Sequence, residues 1–135
     1  MPTWTPEYSV NNSTLDDQHK KLFMILGRLS EAVQQRAGAM ITPILVELEA
    51  YTIFHFSFEE HELEKVQYPD LDNHKKEHEK FRKKLKEFKG QLLSRDQQAL
   101  KNIEDYLVSW IKNHIRGLDK KYVPYQTPSD PSPAP

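Results

Sequence analysis

The chain of 135 residues contains no cysteine. Disulfides, iron–sulfur clusters and thiolate zinc sites are thereby excluded, and any metal must be held by nitrogen and oxygen. An excess of charge of one sign is missing too. With 19 Lys+Arg against 20 Asp+Glu, the formal net charge is −1, which argues against nucleic acid or a membrane surface as partner. By inspection no apolar run approaches the ~18 residues of a membrane span. The opening MPTWTPEYSV lacks the basic and apolar regions of a signal peptide. A soluble cytoplasmic protein is the expectation, and no internal repeat is visible.

What is present is helical patterning. Residues 1–12 form a leader expected to lie over the core. Overlapping capping boxes in Ser13-Thr14-Leu15-Asp16-Asp17 open a first helix, about 13–37, that Gly38 ends. Thr42 as N-cap with Pro43 at the first helical position opens a second, about 42–66. Tyr68-Pro69-Asp70 turns into a third, about 70–90. Ser94, with Gln97 three residues on, opens a fourth, about 94–117. One domain over 1–122 and a flexible Pro-rich tail over 123–135 complete the expectation. Four apolar stripes at helical spacing with short connections predict an all-α, antiparallel up-down-up-down four-helix bundle.

Five of the six histidines interrupt those stripes. His19 falls early in the first helix, His55 with Glu59 late in the second, His74 with His78 early in the third, and His114 late in the fourth. In an antiparallel bundle all lie toward one end. Burying imidazole and carboxylate there is costly unless a partner satisfies them, and a metal cluster is a compact one. The pairs 55/59 and 74/78 are about 40° apart on their helices. His114 and Asp119 are about 140° apart, so the fourth helix must bend or end between them, for which Gly117 offers a place. His61, about 240° round from His55, is read as solvent-facing. Glu60 is read as an exposed charge, and Glu62, about 60° from Glu59, as no more than a candidate for contact behind the donors.

A single tetrahedral zinc would strand three of the seven groups, whereas two octahedral-preferring ions sharing two carboxylates use them all. The Glu-x-x-His of ferritin-type bundles does not occur in the chain.

The set His19, His55-Phe56-x-x-Glu59-Glu60, His74-x-x-x-His78 and His114-x-x-x-x-Asp119 resembles that of the hemerythrins, the bacterial ones in particular. The likeness runs from Trp4 to about Tyr122. It includes Asp16-x-Gln18-His19, the Tyr68-Pro69 turn and the run from Trp110 to Ile115 that leads to Asp119. Asn11 and Leu63 depart from it, standing where glycine and methionine are common. The resemblance implies two non-haem irons per chain. His74, His78 and His114 would bind one, His19 and His55 the other, with Glu59, Asp119 and an oxo or hydroxo group as bridges. The second iron would keep one open position for dioxygen, in a pocket expected from Leu22, Phe56, Trp110, Ile111 and Ile115. Reversible dioxygen binding, for carriage, storage or sensing, is the implied function, with no catalytic residues. A di-iron enzyme acting on peroxide, oxygen or nitric oxide, and an oxygen-responsive signalling module, are the rival readings.

Overall fold

A computed structural model of the chain describes residues 2–92 and 96–126. Four helices form the bundle: α1 (Ser13–Gln34), α2 (Gly38–Lys65), α3 (Leu71–Gln91) and α4 (Gln97–Asn113). A π-helical turn, His114–Leu118, and a 3-10 segment, Asp119–Tyr125, follow α4 directly. α1 packs on α2 and α4, and α2 on α3. The expected stripes are the ones buried. Leu22, Leu26, Leu29 and Val33 of α1 meet Ile41, Leu45 and Leu48 of α2, Phe81 and Leu85 of α3, and Ile103 and Leu107 of α4 in one core.

The helix ends differ in detail from their sequence reading. Asn12, outside the expected capping boxes, caps α1 by accepting a hydrogen bond from the Leu15 amide at 2.9 Å. Asp16 instead reaches back, accepting from the Val10 amide at 2.9 Å and the Ser9 hydroxyl at 2.6 Å. Those bonds fasten the leader, whose Tyr8 and Val10 are buried.

Gly38 does not end α1; it begins α2. The left-handed position after α1 is taken by Arg36 (φ 54°), with the Ala37 amide bonded to the Ala32 carbonyl at 2.9 Å. Gln67 (φ 54°) does the same after α2, with Tyr68 bonded to Leu63 at 3.0 Å. α2 therefore starts four residues before Thr42, and Pro43 sits inside it. Pro43 and Ala39 face solvent, so water can serve the carbonyl that the missing amide leaves free.

Asp96 caps α4, accepting from the Ala99 amide at 3.1 Å; Ser94 lies outside the described residues. The expected tail starts too early at 123, because Tyr125 packs its ring 5.1 Å from Tyr68 and Gln126 donates to the Val10 carbonyl at 2.7 Å. Residues 127–135 lie outside the described ones. α2 is, by length and composition alone, long and apolar enough to cross a membrane, although Glu47 and Glu49 interrupt its apolar stretch.

Candidate metal centre

Antiparallel packing brings the polar members of the four stripes to one level. They lie between the main core and a smaller cluster of Val10, Leu15, Leu63, Tyr68 and Tyr122. His19, Glu59, His74, His78 and Asp119 have no exposed surface, and His55 and His114 are also buried. His61 is exposed, as its position off the stripe requires.

The link that looked weakest, His114 to Asp119, is made without a break. The Asp119 amide bonds to the His114 carbonyl, an i→i+5 bond that widens the helix by one residue and aligns positions five apart. Asp119 Oδ1 lies 3.0 Å from His114 Nε2. Gly117 is not the device: its φ is not positive, and a Cβ there would meet nothing within 4 Å.

Two donor groups result. Glu59, His74, His78 and His114 form one; His19, His55 and Glu59 form the other. Each carboxylate divides its oxygens between them. Glu59 Oε1 is 2.7 Å from His74 Nε2 and 3.1 Å from His78 Nε2, whereas Oε2 is 3.7 Å from His19 Nε2 and 3.8 Å from His55 Nε2. Asp119 Oδ1 faces His74 at 3.1 Å as well as His114, and Oδ2 faces His19 at 3.3 Å.

These contacts surround points in space more than they pair with one another. Both oxygens of Asp119 and both ring nitrogens of His19 lack a hydrogen-bond partner, although all are buried. His78 Nε2 and His114 Nε2 stand 3.1 Å apart, two lone-pair donors that need a cation or a shared proton between them. Buried orphans of this kind are rare unless an ion belongs among them. The donor set, five imidazoles and two carboxylates without sulfur, fits iron.

The electrostatics describe the same demand. Burial would raise the carboxyl of Glu59, but the imidazoles of His19, His74 and His78 that crowd it hold it well below its ordinary value. Burial and the charge of Glu59 likewise oppose ionisation of Asp119, yet His114 and His19 hold it well down. In return, the carboxylates overcome desolvation and lift His19 to about 9 and His74 to about 10. His78 is raised in the same way. His55 goes the other way, down to about 3, because burial and the nearby positive His19 outweigh Glu59. Without a metal, the two carboxylates gather protons on neighbouring imidazoles.

Three supporting residues escaped the sequence reading. Gln18 Oε1 accepts from His55 Nδ1 at 2.7 Å, and Glu60 Oε2 accepts from His78 Nδ1 at 2.7 Å. Each bond leaves Nε2 of its imidazole as the free donor. Tyr122 donates its phenol proton to Glu59 Oε2 at 2.9 Å, and burial keeps that phenol well above its ordinary value. Glu60 was read as an exposed charge; about 100° round from Glu59, it turns toward α3. Glu62, read as no more than a candidate, pairs with Lys65 at 2.9 Å. Gln18 carries a signal in its place beside His19, but only the packing of α1 on α2 turns it toward His55.

Of the five expected pocket residues, Leu22, Phe56, Ile111 and Ile115 are fully buried in the main core and Trp110 packs against it. Phe56 stacks on His78 (centroids 3.8 Å, 6°) and Trp110 on His114 (4.3 Å, 12°). Both aromatics thus clamp imidazoles of the three-histidine group.

An all-α four-helix bundle with a buried histidine–carboxylate cluster at one end is the class that fold and site define. A profile of the Hemerythrin HHE cation binding domain matches residues 10–125. The chain belongs to the hemerythrin family. It is 34% identical over 128 residues to a bacteriohemerythrin of Clostridium acetobutylicum, covering 91% of this chain and 99% of that one. A hemerythrin-like protein of Naegleria gruberi is 33% identical over 123 residues, 88% of each chain. The crystal structure of a wild-type hemerythrin superposes with a TM-score of 0.76 at 31% identity, covering 90% of this chain and 95% of that one.

Proposed function

We propose that the seven donors hold two iron ions and that the protein binds dioxygen reversibly. His74, His78 and His114 would hold one ion and His19 and His55 the other, with Glu59 and Asp119 shared. The observation that carries this reading is the division of both carboxylates, one oxygen toward each imidazole group. When bound, the iron pair supplies the electrons that dioxygen takes up on binding and returns on release.

The chain's own residues do the rest. Gln18 and Glu60 fix the imidazole tautomers, and the phenol of Tyr122 steadies Glu59. The two-histidine group brings one donor fewer, which leaves room for a small ligand. Leu22, Ile111 and Ile115, buried within one helical turn of His19 or His114, would keep bulk water from the site. Membership of the hemerythrin family supports this reading, and a donor set rich in neutral imidazoles favours it over oxidation of a substrate.

The test is anaerobic loading with ferrous iron, metal analysis, and optical spectra on cycling between oxygen and vacuum. Two irons per chain and a spectrum that appears with oxygen and vanishes without it are expected. One tightly held zinc without iron uptake, or irreversible oxidation on the first exposure, would refute the proposal.

A further inference from the structure

Three seams of the bundle, α1 on α2, α1 on α4 and α2 on α3, close by near approach of the helix backbones. The fourth, α3 beside α4, stands wider and is filled by rings. Phe88 lies against Tyr106 (centroids 5.3 Å) and Phe81 against Trp110 (4.5 Å). Beyond Trp110, at the level of the donors, a hollow of about 320 Å³ opens to solvent. Glu77 of α3, Trp110 and Asn113 of α4, and His114 and Leu118 of the π-helical turn line it. His114 is also the one donor of the seven with more than a trace of exposed surface, 8% against 0–1% for the other six. Gln18 and Glu60 tether Nδ1 of His55 and His78, and no hydrogen bond among the described residues does the same for His114.

We propose, building on the two-iron reading, that this seam is the route by which ferrous iron enters and leaves the centre, with Glu77 as the carboxylate that holds the ion at the mouth. The other approaches are closed. The main core and the smaller cluster around Tyr122 cover the site on two sides. On the α2–α3 seam the carboxylate of Glu60 is committed to His78, whose ring has no exposed surface. Between α1 and α2, His19 and His55 are covered as deeply. Glu77 carries no such commitment. Its partner is the largely exposed ammonium of Lys80 at 3.0 Å, and a surface pair of that kind is worth little and yields readily. Carboxylate and amide oxygens suit a divalent ion that still carries water, whereas imidazole suits iron. From solvent inward the donors run from oxygen at Glu77 and Asn113 to nitrogen at His114, so a cation moves toward the groups that bind it more tightly. Dioxygen, small and uncharged, would gain nothing from the carboxylate.

Exchange at equilibrium tests the route in the loaded protein. Iron-loaded chain is held without oxygen in an excess of isotopically enriched ferrous ion, and incorporation is followed by mass spectrometry. Glu77→Gln should slow incorporation about tenfold, the low end of what a charged cleft adds to the arrival rate of an ion. Release of iron to an excess of ferrous chelator should slow by the same factor. Iron content and equilibrium affinity should stay as they are, because a residue on the path changes entry and exit alike. Glu79→Gln is the control. It removes the same charge from the same helix, but Glu79 pairs with Arg82 on the side of α3 that faces α2. Its exchange should match that of the unmodified chain. Unchanged exchange in Glu77→Gln, equal slowing in Glu79→Gln, or faster release with unchanged entry overturns the route and leaves the two-iron reading standing. A chain that takes up no iron overturns both.

Discussion

Replacing Glu60 tests the centre without touching any of its donors. Its carboxylate accepts from His78 Nδ1 at 2.7 Å and is largely covered, with 19% of the side chain exposed. The bond holds the ring so that Nε2 points at Glu59 and His114, and the negative charge makes that nitrogen a stronger donor. In Glu60→Ala the ring keeps its stacking on Phe56 but loses both constraints. Removing such a partner lowers metal affinity about 10–100-fold, or about 1.4–2.7 kcal/mol. The assay is anaerobic competition for ferrous iron against a chelator of known affinity, with melting of the metal-free variant as a check on folding. Glu62→Ala is the control, because Glu62 engages Lys65 near the surface and none of the donors among the described residues. Its iron affinity should equal that of the unmodified chain. An unchanged affinity in Glu60→Ala, or an equal loss in Glu62→Ala, would refute the assignment of Glu60.

The metal-free protein should be most stable near pH 6.5 and weaken on either side. His19 and His74, lifted to about 9 and about 10, contribute fully below the ordinary value of 6.5, and that contribution is lost as pH rises through those values. His55, held down to about 3, opposes folding as pH falls below 6.5, and the depressed carboxyls of Glu59 and Asp119 lose their contribution in more acid solution. Iron replaces those protons, so the loaded protein should melt at a higher temperature and lose less between pH 6.5 and 10; a flat alkaline limb in the metal-free protein would contradict this. Arg36→Gly should stabilise the chain by up to about 1 kcal/mol in denaturant unfolding, because glycine adopts the left-handed backbone without a Cβ clash. A loss of stability there would mean that the Arg36 side chain matters more than its backbone. Ile111→Ala should cost about 2–5 kcal/mol and hasten decay of the oxygen-bound spectrum in air, since it opens a cavity in the core beside His114. A destabilised variant with full iron and an unchanged decay would leave Ile111 with a packing role alone.

Periodicity alone determined the bundle and the level at which its polar members meet. A stripe repeating every 3.6 residues can bury itself in few ways, and four stripes with short links run antiparallel. Histidines at the start of one helix and the end of the next then share a plane. The identities of the groups at that plane were legible for the same reason: an imidazole where a leucine belongs is visible without coordinates. Helix ends were less legible, because they rest on a few local bonds of similar strength. Asn12 caps α1 in place of the boxes expected from Ser13 on, Asp96 caps α4, and Arg36 took a backbone conformation that glycine would adopt more easily. Only the tertiary structure decided what lies between helices. The 140° gap between His114 and Asp119 holds for a regular helix, and a π-helical turn, which has one residue more per turn, closes it. Gln18 and Glu60 serve imidazoles 37 and 18 residues away, and Tyr122 serves a carboxylate 63 residues away. A stripe records which side of a helix is buried; which atoms meet across the gap depends on the rotation and offset of two helices, and those are settled by the whole core packing at once.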